Sequence, residues 1–253
     1  MSPHEHDILR GAEEQYWWYA VLHRLVLKEL RAHVPVGAQI LDAGCGTGGM
    51  LARLGRWRAY GVDLSSAAIA HCQRRGLPRV TPADVCRLPF QDAAFDAVLS
   101  LDVLYHERVR EESALAEMSR VLRPGGVMIL NLPAFDCLRG EHDRAVCGTR
   151  RYKLCHVRAK LAAHNLVPMM THYWNAWLFA PLWGWRCLSR LRRNGQAAPR
   201  SDLRPLPEAA NAMLRHLSLL DAHLCRRLNL PFGSSIFAVA QKQEKPSHEL
   251  RLP

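Results

Sequence analysis

The sequence predicts an α/β fold in which a doubly wound, mostly parallel sheet carries helices on both faces. Three observations predict it. Apolar residues 38–41 run into Asp42-Ala43-Gly44-Cys45-Gly46-Thr47-Gly48-Gly49, and residues 50–54 leave at helical spacing, which reads as strand, tight turn and helix. Strand-like and helix-like segments then alternate through residue 132, the order that lays parallel strands between two helical layers. Asp63 falls nineteen residues beyond Gly44, the interval at which such a sheet brings a carboxylate from its second strand beside the first turn.

Each element follows in chain order. Residues 14–33 place Leu22, Leu25, Val26 and Leu30 at helical spacing behind Tyr16-Trp17-Trp18-Tyr19, so an N-terminal helix is expected whose aromatics pack on the core or cover a ligand. Pro35 and Gly37 end it. Residues 58–65 read as the second strand, and Ser65 or Ser66 caps the helix begun by Ala67-Ala68-Ile69-Ala70, which leaves Asp63 free of that role. Residues 79–84 and 95–100 form the third and fourth strands. Both end at one edge, which makes Asp84, Val85, Ser100 and Leu101 candidate neighbours of a ligand. A helix over about 109–122 is stopped by Arg123-Pro124-Gly125-Gly126, and residues 127–132 form the fifth strand. Further on, 157–166 reads as a helix, 167–173 as the sixth strand and 235–241 as the seventh.

With 253 residues, 49% hydrophobic and 23% charged, the chain can bury one full core. The expected division is a helical segment at 1–34, a core at 35–173 and 233–242, a helical cap insertion at 174–232 and a tail at 243–253. About sixty residues between the last two strands is long for a hairpin, which argues for a segment with a purpose of its own. It holds Trp174, Trp177, Leu178, Phe179, Trp183 and Trp185, and then 206–228, an amphipathic helix carrying Leu214, Leu217, Leu220 and Leu224. Residues 174–193 are too short and too interrupted for a membrane span, although aromatics beside arginines suit a peripheral bilayer contact; a hydrophobic cap or a homodimer face is the plainer reading.

Eight cysteines form no C-x-x-C pair, and Met1-Ser2-Pro3-His4-Glu5-His6-Asp7 is too polar for a secretory leader, which together read as a cytoplasmic protein with free thiols. His142, Cys147, Cys155 and His156 are the densest soft ligands, but their irregular spacing argues against a metal site. Much of the net charge of +11 comes from Arg186, Arg190, Arg192, Arg193, Arg200 and Arg204, read as a solvated arginine face in preference to a polyanion-binding surface.

The glycine turn fits two templates. Gly44, Gly46 and Gly49 satisfy the dinucleotide fingerprint, whereas Asp42, Gly44, Gly46 and Gly48 satisfy the D-x-G-x-G-x-G turn of methyltransferases. Charge separates them. A dinucleotide sets its pyrophosphate on the helix N-terminus, where Asp42 would repel it, while S-adenosylmethionine carries an ammonium that Asp42 would hold.

The blocks ILDAGCGTGGML (40–51), GVDLS (61–65), DVCRLPFQDAAFDAVLSLDVLYH (84–106) and RVLRPGGVMILNLP (120–133) resemble the class I S-adenosylmethionine-dependent methyltransferases, in the branch that contains the ubiquinone and menaquinone enzymes. The resemblance covers roughly 36–135. It implies a Rossmann-like seven-stranded sheet with the last strand antiparallel. It also implies that Gly44, Gly46 and Gly48 approach the cofactor, that Asp63 holds the ribose and that Asp84 faces the adenine amino group. Cys45 and Leu64, inside the same blocks, join this cofactor set.

Methyl transfer from a sulfonium is an in-line displacement, so a protein mainly aligns the acceptor and excludes water, adding a base only if the acceptor arrives protonated. Three groups are candidates. His142 with Asp143 as electrostatic partner lies in Glu141-His142-Asp143-Arg144, which with Arg150-Arg151-Tyr152 follows the fifth strand; Tyr105-His106 follows the fourth; Tyr173 and Asn175 end the sixth. The D/N-P-P-Y element of base methyltransferases is absent after the fourth strand, where Ser100-Leu101-Asp102-Val103 stands, and no RNA-recognition motif occurs, which argues against a nucleic-acid acceptor. The expectation is methylation of oxygen or nitrogen on a small, apolar or lipid-like metabolite. A nicotinamide oxidoreductase and a non-catalytic cofactor-binding scaffold are the competing readings.

Overall fold

A computed structural model describes residues 10, 11, 13–191 and 206–244. The expected tail at 243–253 and the arginines at 192, 193, 200 and 204 lie largely or wholly outside these residues, as does the side chain of Arg190.

Seven strands form one sheet: β1 (Gln39–Ala43), β2 (Arg58–Asp63), β3 (Val80–Pro82), β4 (Phe95–Leu101), β5 (Leu122–Pro133), β6 (Leu166–Trp174) and β7 (Ser235–Lys242). Their spatial order is β3-β2-β1-β4-β5-β7-β6. The first five pair in parallel, and β7 runs antiparallel between β5 and β6. The doubly wound expectation therefore holds, including the antiparallel direction of the last strand.

The helices around the sheet include α1 (Trp17–His33), α2 (Ser66–Arg74), α3 (Glu111–Val121), α4 (Glu141–Ala145), α5 (Leu154–Ala163), α6 (Phe179–Leu191) and α7 (Glu208–Leu228). Alternate residues of the central strands face opposite layers. Leu41, Val98 and Met128 pack with Leu115 and Met118 of α3 and Val157 and Leu161 of α5, whereas Ile40, Leu99 and Ile129 pack with Val21, Leu22 and Val26 of α1 and Ala222 of α7. A sheet buried on both faces explains why its strands read as continuous apolar runs.

Two expectations need correction. The helix after the glycine turn is only the 3-10 turn Leu51–Arg53; Gly55 and Trp57 follow at once, leaving no room for a longer one. The second concerns the amphipathic helix expected at 206–228, observed as α7, whose leucine stripe does not form the packed face. Its buried residues are instead Ser218, Asp221, Ala222 and Cys225, while Met213, Leu217, Leu220, Leu224 and Leu228 are exposed. Hydrogen bonding explains the inversion. The Asp221 carboxylate accepts the backbone N–H groups of Ala176 (3.1 Å) and Trp177 (3.1 Å), and Ser218 Oγ accepts the Trp177 indole N–H (3.1 Å), so the polar face holds the chain leaving β6. Turning this face away would leave the Ala176 and Trp177 amides without their acceptor, at a cost of about 1–3 kcal/mol for each that stayed buried.

Candidate active site

The carboxyl ends of the parallel strands open into a cavity of about 850 Å³. β1 ends in Asp42 and turns through Gly44, whose φ of +90° suits glycine; a Cβ there would lie 2.3 Å from Val103 Cγ2. Asp63 at the end of β2 fastens this turn, since its Oδ2 accepts the Gly46 N–H (3.0 Å) and its Oδ1 accepts the Ser65 N–H (2.8 Å). Ser65 caps α2 by accepting the Ala68 N–H, as the sequence indicates. Asp84 closes a turn after β3 by accepting the Cys86 N–H (2.8 Å).

Of the expected cofactor residues, Asp42, Gly44, Cys45, Gly46, Asp63, Leu64, Asp84, Val85 and Leu101 line the cavity. Gly48 and Ser100 do not. Gly48, with φ +85°, faces Leu77 and Cys72, and Ser100 is fully buried inside β4, because its side chain falls on an interior face of the pleat. The buried Cys45 thiol is pushed far up in pKa by its bond to Cys72 and by burial, so it packs and does not ionise.

Asp42 is 2% exposed, and among the described residues no hydrogen-bond donor reaches its carboxylate. Burial, then the charges of Glu13 and Asp63, push its pKa up to about 8. An ammonium in the cavity is the partner such a group lacks. A pyrophosphate would meet Asp42, Asp63 and Asp84 together and be repelled, so the residues fit S-adenosylmethionine and not a dinucleotide.

The other side of the cavity comes from distant segments. Residues 13–23 cross the glycine turn, where Thr47 donates its hydroxyl to Glu13 Oε2 (2.5 Å) and Gly49 leaves no room for a Cβ beneath Glu13. Tyr16, Trp17, Trp18 and Tyr19 then wall the cavity, and Trp18 stacks on Trp174 with ring centroids 5.7 Å apart. Leu178, Leu182, Trp185 and Arg186 close it from α6 and the turn before it. Arg186 is only 5% exposed and packs on Gly140, so it does not belong to a solvated arginine face.

His142 and His106 both line the cavity. The His106 ring stacks on Tyr105 at 4.5 Å, and burial pushes its pKa down, which keeps the imidazole neutral near pH 7. The His142 charge reaches Asp143, as its place beside it suggests, but Asp143 also has hydrogen-bond donors elsewhere. Its carboxylate takes two bonds from Arg151 (2.8 and 3.1 Å) and the Gly140 N–H (2.8 Å). Burial would raise its pKa, but these bonds and the Arg151 charge hold it below the usual carboxylate range. Arg150 ties the same loop down by donating to the carbonyls of Leu104, His106 and Val109. Tyr173 and Asn175 fall outside the cavity lining: the Tyr173 hydroxyl accepts the Leu154 N–H (3.1 Å) and its ring stacks on Phe135, while Asn175 is buried at the turn after β6.

Sequence reasoning passed over Glu13 and Asp102 as site residues, while Tyr19 belongs to the aromatic cluster expected to pack on the core or cover a ligand. Asp102 follows β4 in a left-handed conformation (φ +58°) and faces the cavity. Its Oδ2 accepts from Asn131 Nδ2 (2.8 Å), and Asn131 Oδ1 accepts the Trp174 indole N–H (3.0 Å). Burial pushes the Asp102 pKa up to about 7 against the Asn131 bond and the Arg151 charge. The only available signal was an acid immediately beyond a strand of this sheet.

Residues 41–130 match the family model described as "Methyltransferase domain". A "Probable S-adenosylmethionine-dependent methyltransferase" of Mycolicibacterium smegmatis is 37% identical over 127 residues, 48% of this chain and 47% of the relative. A "Fatty-acid O-methyltransferase" of the same organism is 44% identical over 101 residues, 37% of this chain and 36% of the relative. A "tRNA (carboxymethyluridine(34)-5-O)-methyltransferase" of Arabidopsis thaliana is 36% identical over 101 residues, 39% of this chain and 25% of the relative. The chain thus spans less than half the length of these curated relatives. Among solved structures, a Haloferax volcanii methyltransferase in complex with its Trm112 activator superposes with a TM-score of 0.58, covering 93% of each chain at 17% identity, a likeness of fold. The matched domain and its relatives support the class I S-adenosylmethionine-dependent methyltransferase family, with S-adenosylmethionine as the cofactor. They do not single out the ubiquinone and menaquinone branch.

Proposed function

We propose that this protein methylates an oxygen or nitrogen atom of a small, apolar or lipid-like metabolite. The observation that carries the reading is one cavity in which the acid-tipped ends of β1 and β2 meet a wall of aromatic and apolar side chains. S-adenosylmethionine supplies a methyl group on a sulfonium, open to in-line displacement by a lone pair. Asp42 would hold its ammonium and Asp63 its ribose hydroxyls, through the lone pairs left by the Gly46 and Ser65 N–H groups. Leu64, Val85, Leu101 and Asp84 would surround the adenine. The aromatic wall of residues 16–19 keeps water from the reacting atoms, in surroundings where the sulfonium charge is lost most readily. His142 and the neutral His106 are the candidate imidazole bases at this cavity.

The lipid-like class rests on the apolar walls and on the fatty-acid relative. A tRNA acceptor has support from the Arabidopsis relative, but a walled cavity suits a small ligand better than a base on a long strand. No described helix is long and apolar enough to cross a membrane. The exposed Trp183, Trp185 and Leu188 of α6, with the leucine stripe of α7, support a peripheral bilayer contact or a homodimer face. All eight cysteines are free thiols, which supports a cytoplasmic setting. The crowding of carboxylates disfavours a nicotinamide cofactor, and an open acceptor cavity disfavours a pure scaffold. Asp63→Ala tests the assignment: S-adenosylhomocysteine affinity measured by calorimetry should fall about tenfold or more, and unchanged affinity would remove the ribose role.

A further inference from the structure

We infer that Asp102 takes the proton of the methyl acceptor, so that the acceptor presents a hydroxyl or ammonium donor and not a carboxylate. This rests on the methyltransferase reading and narrows its substrate class. The left-handed turn after β4 carries Asp102 to the cavity, while Asn131, itself fully buried, holds Oδ2. Among the described residues no donor engages Oδ1. Asn131 is in turn fixed by the indole of Trp174, which is 0% exposed, so the carboxylate is aimed by a buried chain of hydrogen bonds.

The groups facing Asp102 do not neutralise it. Asn131 comes from β5, Tyr19 from α1 and Tyr105 from the loop after β4; burial and the Asp102 charge push both tyrosine pKa values up, so neither ionises beside it. Arg151, the nearest cation, spends its donors on Asp143 and on the Ala134 carbonyl. An acceptor carboxylate would add a second anion against Asp102, whereas a hydroxyl or ammonium supplies the missing donor. With its pKa near 7, Asp102 is ionised in a large fraction of molecules at neutral pH and can still carry a proton away.

An ammonium first gives a proton to Asp102 Oδ1, which frees the lone pair, whereas a hydroxyl gives its proton as it attacks. The lone pair then forms the new bond to carbon, the carbon–sulfur pair stays on sulfur, and the proton passes from Asp102 to water. Methylated acceptor, S-adenosylhomocysteine and one proton account for every atom and charge.

The test titrates dodecylamine, 4-octylphenol and dodecanoate into the wild-type protein and Asp102→Asn by calorimetry, with S-adenosylhomocysteine titrated alone in parallel. The wild type should bind the amine or the phenol at least about tenfold more tightly than dodecanoate, and the two arms say which donor the site takes. Asp102→Asn should erase the gap while keeping its affinity for S-adenosylhomocysteine. Tighter binding of dodecanoate, for which Arg186 would be the anchor, would overturn the inference, as would an unchanged order in the variant or no binding of amine and phenol. If S-adenosylhomocysteine binds and the order fails, only this inference falls; if S-adenosylhomocysteine does not bind, the methyltransferase reading falls with it.

Discussion

The two sides of the cavity are built in opposite ways. The cofactor side comes from the ends of neighbouring parallel strands, within residues 42–101, and two of its carboxylates, Asp63 and Asp84, accept backbone N–H groups of the turns they close. The acceptor side is assembled from residues 13–23, 102–109, 142–151 and 178–186, joined by side-chain bonds across long sequence separations such as Thr47–Glu13 and Trp174–Asn131. The difference teaches that local turn geometry builds one side, whereas tertiary contacts between distant segments build the other. Damage to the two sides should therefore separate into cofactor binding and local folding.

The largest expected effect is on the acceptor side. Arg151→Met leaves the buried Asp143 without its partner and should cost about 3–5 kcal/mol of stability in chemical denaturation, while the folded fraction keeps its S-adenosylhomocysteine affinity. An equal loss of both would erase the distinction between the two sides.

Gly44→Ala should do the reverse. A side chain at φ +90° against Val103 forces the turn open, and S-adenosylhomocysteine affinity should fall about a hundredfold at a stability cost of about 1–3 kcal/mol. Near-native affinity in that variant would mean that the turn does not approach the cofactor.

Asp42 sharpens the comparison through pH. Its folded pKa is raised, so the protein without ligand holds this proton more tightly than the unfolded chain; the stability this contributes is present below the ordinary carboxylate range and lost as pH rises through about 8. A bound ammonium reverses the preference and ionises Asp42. S-adenosylmethionine affinity should then climb by up to about tenfold per pH unit towards pH 8, with proton release seen as a buffer-dependent binding enthalpy. Asp42→Asn should abolish that release, bind more weakly and melt at a higher temperature near pH 8. Affinity flat with pH in the wild type would disconnect Asp42 from the ammonium.

The smallest effect belongs to the exposed stripe of α7. Leu220→Gln should change stability by no more than about 0.5 kcal/mol, and a large loss would show that the stripe packs on something in solution, such as a second copy.

These contrasts also explain what could be read from the chain. The glycine turn, Asp63 and the alternation of strands and helices were legible because local backbone geometry decides them. The facing of α7 was not, because periodicity counts leucines and cannot count the amide groups of Ala176 and Trp177 that Asp221 must satisfy. Adjacency pointed to Asp143 as an electrostatic partner of His142, whose charge does act on it, but adjacency could not show that Arg151, eight residues away, matches it in two-pronged geometry. Tyr173 resembled a site residue at a strand end, but β6 lies at the sheet edge beyond the antiparallel β7, and the Tyr173 hydroxyl serves α5 instead of the cavity. Asp102 was visible only as an acid after a strand, because its aim depends on a left-handed turn and on Asn131, twenty-nine residues later.

The most direct test of the central claim is calorimetric titration of the purified protein with S-adenosylhomocysteine and, separately, with NADH. Binding of S-adenosylhomocysteine alone is the predicted result, because in the proposed assignment the carboxylates at the ends of β1 and β2 would take an ammonium and a ribose and would repel a pyrophosphate. Binding of NADH alone would contradict the account at its root.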